Sequence, residues 1–335
     1  MEFTFFIGID ISKNELDFAV RHGNILLFHK EAENSPKAIL SFIKELSNLD
    51  KFSMQKAVFC MEHTGIYNNH LLSYLVKKHA NICLEPALQI KNSLGKLRGK
   101  NDKIDAIRIS EYAYDKREKL RLWQPKRDIV QRLAYLSTIR TRLISVKKML
   151  SVPAKEMDIF IQKDVVKKNA KLYNATLKSI AADLEKADKA IEDIIESDAE
   201  LKRLFSLITS VPAIGSITAT AILITTNEFK DIDSPKKFAC YAGVAPFPHE
   251  SGKVIKKLRV SHMANKKVKT LLHMSALTAI RYNEDLRKYY QRKIEDDKKN
   301  KMLVINAVRN KLILRIFSCV NQNRKYEKNY NQILV

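Results

Sequence analysis

Four acidic residues near the start of the chain have the types and spacing of a phosphoryl-transfer centre. Asp10 closes the apolar run Phe3-Thr4-Phe5-Phe6-Ile7-Gly8-Ile9, and Glu62 closes a second one, Ala57-Val58-Phe59-Cys60-Met61. Asp102 and Asp105 open a segment that reads as a helix, one turn apart and therefore on one face. Two strand-end carboxylates converging with a helical i,i+3 pair can hold two divalent metal ions, the arrangement used for displacement at phosphorus. A charge directly after Phe6-Ile7-Gly8-Ile9 must be solvated or metal-bound, because its neighbours offer nothing to pair with it. Glu62 precedes His63-Thr64-Gly65, and an acid before a Thr-Gly turn suits a metal ligand or a general base. Three of the acids also have an ordinary reading. Asp10 could cap the turn Ser12-Lys13-Asn14, and Asp102 with Asp105 could simply complement a helix dipole.

The rest of the composition points to a polyanion as partner. The chain has 335 residues and a formal net charge of +23, an excess that attracts nucleic acid. Lys91, Lys96, Arg98 and Lys100 precede Asp102 with no acid between them, as a phosphate-gripping loop would. From Ser251 to Asn283 there is no acidic residue, yet Lys253, Lys256, Lys257, Arg259, Lys266, Lys267 and Lys269 all fall there. That stretch reads as a phosphate-backbone surface, since merely solvated faces intersperse both signs. Within it the pair Ser251-Gly252, taken alone, reads as a turn in a basic loop.

The elements that must position these residues fall into three parts. Residues 1–118 alternate strand and helix signals, with strands at 3–10, 15–20 and 24–29 punctuated by Asp17 and the Arg21-His22-Gly23 turn. Ser35-Pro36 then starts a helix, with a cap followed by proline in the first turn. A strand at 57–61, a helix at 71–78, a short strand at 82–84 and the helix opened by Asp102 complete an order β-β-β-α-β-α-β-α, that of a ribonuclease H-like mixed sheet with helices on its faces. Residues 119–206 carry two amphipathic patterns at 3/4 spacing, Ile129 to Leu150 and Leu177 to Ile194. These predict a coiled-coil arm joined through a polar connection containing Pro153 and Lys167-Lys168. Between Thr176 and Glu200 there are eight Asp/Glu against three Lys, so this face repels phosphate and suits either self-association or an intramolecular helical hairpin. Residues 207–320 read as a mostly helical domain, with Ser210-Val211-Pro212-Ala213-Ile214-Gly215 as a helix-hairpin-helix-like turn and helices at 264–282, 284–294 and 301–320. The polar tail 321–335 is expected to fray.

Cys60, Cys83, Cys240 and Cys319 are far apart with no CxxC pair, which argues against a zinc site of closely paired ligands and for buried free thiols in a reducing compartment. No apolar run approaches the roughly 20 residues that cross a bilayer, and Met1-Glu2-Phe3-Thr4 has no cationic region ahead of an apolar stretch. A cytoplasmic, nucleoid-associated protein with no membrane partner is expected.

Taken together the chain resembles the DEDD insertion-sequence transposases of the IS110 type, which include related site-specific invertases. The resemblance spans nearly the whole length. It rests on Gly8-Ile9-Asp10-Ile11-Ser12-Lys13, Glu62-His63-Thr64-Gly65, Asn101-Asp102-Lys103-Ile104-Asp105-Ala106, Val211-Pro212-Ala213-Ile214-Gly215, and Tyr241-Ala242-Gly243-Val244-Ala245-Pro246 followed by Ser251-Gly252. It implies a resolvase-like ribonuclease H fold, a coiled-coil arm and a C-terminal transposase domain. Asp10, Glu62, Asp102 and Asp105 would form a tetrad for two Mg2+ ions, with Mn2+ as a substitute, and Ser251 would be the nucleophile that links covalently to DNA. Donor and target DNA, a structured guide RNA and a homo-oligomer, dimer or tetramer, assembled through the arm are implied as partners. Two departures stand out. Ala213 replaces a glycine usual in the hairpin, which matters only if that position needs positive φ. Lys253 replaces a glycine common after Ser-Gly, leaving Ser261 as the fallback nucleophile.

The function expected is therefore that of a DNA transposase or recombinase working by metal-assisted phosphoryl transfer. A Holliday-junction resolvase-like nuclease would use the four acids with water as the nucleophile. A non-catalytic nucleic-acid-binding protein would keep the cationic surfaces over an inert ribonuclease H-like domain.

Overall fold

The structure, a computed structural model, describes residues 2–93, 101–251, 254–261 and 263–328. The side chains of 154, 155, 157, 158, 163, 167 and 248–259 fall outside that description. Two compact units result, Met1–Pro125 and Lys126–Val335. The first extends past residue 118 because Trp123 packs on its core and donates its N–H to the Ile82 carbonyl at 2.7 Å.

The first unit opens with strands β1 (Phe5–Ile11), β2 (Glu15–His22) and β3 (Ile25–Glu33). Helix α1 (Pro36–Ser47) follows, where the Ser35 hydroxyl accepts from the Ala38 N–H and Pro36 sits in the first turn. Next come β4 (Ala57–Glu62), α2 (Asn69–Lys77), β5 (Asn81–Glu85), α3 (Ala87–Ser93) and α4 (Asp102–Asp115). The sheet runs in the order β3-β2-β1-β4-β5. β1 pairs antiparallel with β2 and parallel with β4, and β5 continues the parallel side. Strand β1 is central and buried on both faces, which is why it reads as a continuous apolar run. Phe5, Ile7 and Ile9 pack with Ile39, Phe42 and Leu71 on one face, whereas Phe6 packs with Ile109, Tyr112 and Ala113 of α4 on the other. β2 is longer than expected: Asp17 and Arg21, read as punctuation, lie inside it. Both are buried and hydrogen-bonded, Asp17 to His29 and Arg21 to Ser110 and Glu111 of α4, so their polarity does not end the strand.

Gly8 sets the distance between sheet and helix. A Cβ there would lie 2.2 Å from the Ser110 nitrogen and 2.3 Å from the Ala106 carbonyl oxygen, so α4 rests on bare backbone.

The second unit begins with α5 (Asp128–Phe160) and α6 (Lys163–Ser197), a helical hairpin crossed by an Arg140–Asp188 ion pair. The expected connection around Pro153 and Lys167-Lys168 is instead helical, with the reversal near residues 161–162. Pro153 removes a single i→i−4 bond, and at this exposed position solvent can satisfy the freed carbonyl. Val130 and Leu133 of α5 and Ile194 and Ile195 of α6 enter the unit's main core, whereas Met149, Ile159, Phe160 and Leu172 are mostly exposed. Helices α7 (Ala199–Thr209), α8 (Ser216–Thr226) and α9 (Pro235–Tyr241) follow. Strands β6 (Pro246–Ser251) and β7 (Val254–Val260) then pair antiparallel, and α10 (Lys266–Tyr282), α11 (Glu284–Glu295) and α12 (Lys301–Asn321) complete the unit. Ser251 is the last residue of β6, and Gly252, read with it as a turn, lies outside the described residues. The tail does not fray at its start: the Tyr326 N–H donates to Ser210 Oγ at 2.9 Å, and Arg315 stacks on the Tyr326 ring.

Left-handed backbone bears on two turns beside α8. Ala213, in the turn between α7 and α8, has φ +70°, so this is a position that favours glycine. Asn227, Glu228 and Phe229 are all left-handed after α8, and Arg127 pins them by pairing with both Glu228 and Asp198.

Substitutions at Gly8 and Ala213 should act in opposite directions. Gly8→Ala forces α4 off the sheet and is expected to cost about 3 kcal/mol or more. Ala213→Gly relieves a left-handed alanine and should stabilise by about 1 kcal/mol. Urea unfolding of both variants checks the two signs.

Candidate active site

Strand alternation and the Gly8 contact bring three of the four acids together. Asp10 follows Gly8 by two residues on β1 and so projects from the face on which α4 rests. Asn101 caps α4, its side chain accepting from the Lys103 N–H at 3.0 Å, and this cap places Asp102 and Asp105 in the first turn. Carboxylate oxygens of Asp10, Asp102 and Asp105 all lie within 4.8 Å of one another. Glu62 ends the neighbouring parallel strand, one step beyond the Ile9–Met61 pair and hence beside Asp10 in register. It is not part of the 4.8 Å group.

Three like charges this close raise the free energy of the metal-free site. Burial pushes the Asp10 carboxyl above its ordinary pKa; the charges of Asp102, Asp105 and Asp17 push the same way, against a hydrogen bond from the Ile11 N–H. Asp105 is partly neutralised by Arg108, whose guanidinium donates to it at 2.8 Å. A donor set of hard carboxylate oxygens at this separation fits Mg2+ or Mn2+.

Two more groups flank the acids that spacing did not reveal. Asp17 is buried directly opposite Asp10 in the β1–β2 register and bonds His29 at 2.7 Å. Glu85, also buried, ends β5 opposite Glu62. The available signal for Glu85 was that Asn81-Ile82-Cys83-Leu84-Glu85, like the apolar runs that lead to Asp10 and Glu62, closes on an acid.

The basic residues separate into several environments. Lys91 is exposed on α3, while Lys96, Arg98, Lys100 and Lys253 lie outside the described residues. Ser251 ends β6, and Lys256, Lys257 and Arg259 lie on β7, with side chains outside the description. Lys266, Lys267 and Lys269 occupy the first turn of α10, where Lys267 donates to Thr141 Oγ1 of α5 at 3.0 Å. The fallback Ser261 accepts from the Met263 N–H at 3.1 Å.

Comparison with known proteins places this arrangement in a class. A family model for DEDD transposases of IS110, described as a transposase, matches residues 7–150, the stretch holding all four acids. A second, described as the transposase IS116/IS110/IS902 family, matches residues 205–291. The chain is therefore a transposase of the DEDD type. It belongs to the IS116/IS110/IS902 family. The pilin gene-inverting protein of Moraxella bovis is 24% identical over 98% of this chain and 99% of its own length. An uncharacterized 42 kDa protein of insertion element IS900 from Mycobacterium paratuberculosis is 28% identical over 40% of this chain and 36% of its own. The corresponding 43.6 kDa protein of IS110 from Streptomyces coelicolor is 25% identical over 42% and 34%.

The raised Asp10 pKa has a sign that can be measured. The folded chain binds that proton more tightly than the unfolded one, so this contribution favours folding at low pH and is lost as pH rises through the raised pKa. In EDTA at neutral pH, Asp10→Asn should therefore raise Tm by a few degrees. Mg2+ or Mn2+ should raise the wild-type Tm and leave the variant's nearly unchanged; thermal scans across pH, with and without the ion, check both.

Proposed function

We propose that this transposase cuts and rejoins DNA by phosphoryl transfer, with Ser251 as the nucleophile and Asp10, Glu62, Asp102 and Asp105 as the metal-binding acids. The observation that carries the reading is the convergence of Asp10, Asp102 and Asp105 within 4.8 Å. The Ser251 hydroxyl would attack a scissile phosphate, forming a phosphoserine ester as the P–O bond to the departing strand breaks and that oxygen takes up a proton. Attack by a strand hydroxyl on the ester would then rejoin DNA and regenerate the serine. Two Mg2+ ions on the acids would supply polarisation of the phosphoryl oxygens and stabilisation of the leaving oxygen. Asp10 and Glu62 at strand ends, and Asp102 and Asp105 on a capped helix turn, would fix the carboxylates in place before substrate arrives.

The strand order β3-β2-β1-β4-β5, with its single antiparallel side, supports a ribonuclease H-like reading of the first unit. Within the second unit we treat the α5–α6 arm and residues 207–320 as separate functional parts, the arm as a coiled coil and the turn at 210–215 as a helix-hairpin-helix-like phosphate contact. The exposed Met149, Ile159, Phe160 and Leu172 on the arm support assembly of a dimer or tetramer through it. A structured guide RNA is the remaining partner, and a cytoplasmic, nucleoid-bound protein the setting. Among the described residues no helix is long and apolar enough to cross a membrane.

Ser251→Ala and Asp10→Asn separate the alternatives in a plasmid recombination assay, with RNA extracted from the same preparations. Loss of strand exchange in both variants, by at least about a hundredfold, and a discrete co-purifying RNA are expected. Continued cutting by Ser251→Ala would make water the nucleophile and the protein a resolvase-like nuclease. Undiminished recombination by Asp10→Asn would remove the acids from the chemistry.

A further inference from the structure

Helix α12 is apolar along its packed face, and Arg309 interrupts that face near its middle. Its side chain is buried, the residue being only 5% exposed. Among the described residues no carboxylate pairs with it. One guanidinium nitrogen donates to His273 Nδ1 on α10, another lies 3.4 Å from Asn306 Oδ1, and Nε is buried with no partner. An uncompensated buried cation is costly, and apolar residues of similar volume often serve stability better. Burial accordingly lowers the Arg309 pKa, with no acid to offset it, and burial together with the Arg309 charge lowers that of His273. His273 is thus held neutral, accepting at Nδ1 and carrying its proton on Nε2.

The surroundings of this cation repeat its sign. Lys269 is one turn before His273 on α10 and shares its face. Its Nζ lies 3.5 Å from the position a Cβ on Gly243 would take, and Gly243 has φ +61°. Asn306 donates to the Val244 carbonyl at 2.7 Å. Lys269 thus lies against Gly243 and Asn306 bonds the next residue of the turn that leads into β6, and Asn306 and His273 both contact Arg309. These donors meet where the hairpin carrying Ser251 begins, with no acid opposing them among the described residues.

We propose that Arg309, His273, Lys269 and Asn306 form a phosphodiester-binding site at the base of the β6–β7 hairpin, seating one backbone phosphate of a nucleic-acid strand. The phosphate is the missing counter-ion. Its oxygens take the remaining guanidinium N–H, the His273 Nε2–H and the Lys269 ammonium, and bind tightly because the charges are partly desolvated. DNA and RNA backbones share this chemistry. The site deepens the reading that the chain acts on nucleic acid, and rests on it.

The test uses the full-length protein and its Arg309→Met variant, binding labelled single-stranded DNA and RNA of one sequence over a range of NaCl concentrations. Arg309→Met is expected to fold with unchanged or higher Tm. It should bind about tenfold more weakly at low salt, with the slope of log K against log[salt] reduced by about one. Whichever strand shows the loss is the natural source of the phosphate. In parallel, inorganic phosphate at matched ionic strength should raise the wild-type Tm more than the variant's. Equal affinity, equal slope and equal phosphate response would overturn the site. If Arg309→Met does not fold, the double variant Lys269→Gln/His273→Gln is held to the same criteria. Strand exchange by Ser251→Ala is scored separately, so a failed nucleophile leaves the phosphate site standing and a failed slope change retracts the site alone.

Discussion

The first unit depends on a contact that has no side chain in it. Helix α4 lies directly on the backbone of β1 at Gly8, with Ala106 and Ser110 where a Cβ would otherwise be. That closeness sets the height of the whole helix above the sheet. Asp102 and Asp105 in its first turn therefore come down to the level of Asp10, two residues past Gly8. A larger residue would lift the helix by an ångström or more, and metal-site geometry tolerates about half an ångström. Arg21 adds lateral restraint, holding Ser110 and Glu111 from β2.

Both units hold charge that the isolated chain does not balance. In the first, three carboxylates crowd together and burial makes Asp10 harder to ionise. In the second, Arg309 sits among apolar helices with His273 as its neighbour and, among the described residues, no acid paired with it. Folding alone favours neither arrangement. Elsewhere the same chain does pair a buried charge, as Glu228 is paired with Arg127. The imbalance is thus local, and opposite in sign in the two places: one suits cations, the other an anion.

Much of this was legible from local pattern. The apolar runs ending in Asp10 and Glu62, the Ser35-Pro36 start and the helix opened by Asp102 depend on neighbours a few residues apart, which spacing reports well. What depended on distant pairing was not visible. Asp17 looked like a strand breaker because nothing local shows that His29 will meet it from the neighbouring β3. Glu85 gained meaning only through its register with Glu62. The β6–β7 hairpin was read as loop because Pro246, Pro248 and a polar His249-Glu250 step hide the alternation of an isolated two-stranded ribbon. Ala213 could be flagged but not resolved, since sequence does not report φ. Arg309 gave no warning, because one arginine in a long helix normally points to water.

The arm has a consequence of scale. At 1.5 Å per residue, helices of 33 and 35 residues reach about 50 Å. That is close to fifteen base pairs of B-form duplex, or one and a half helical turns. The arm's root is packed in the core through Val130, Leu133, Ile194 and Ile195, so the exposed Met149, Ile159, Phe160 and Leu172 are carried on helices anchored at one end. Adding or removing whole turns would shift those side chains outward or inward by about 5.4 Å each and leave the anchored end as it is.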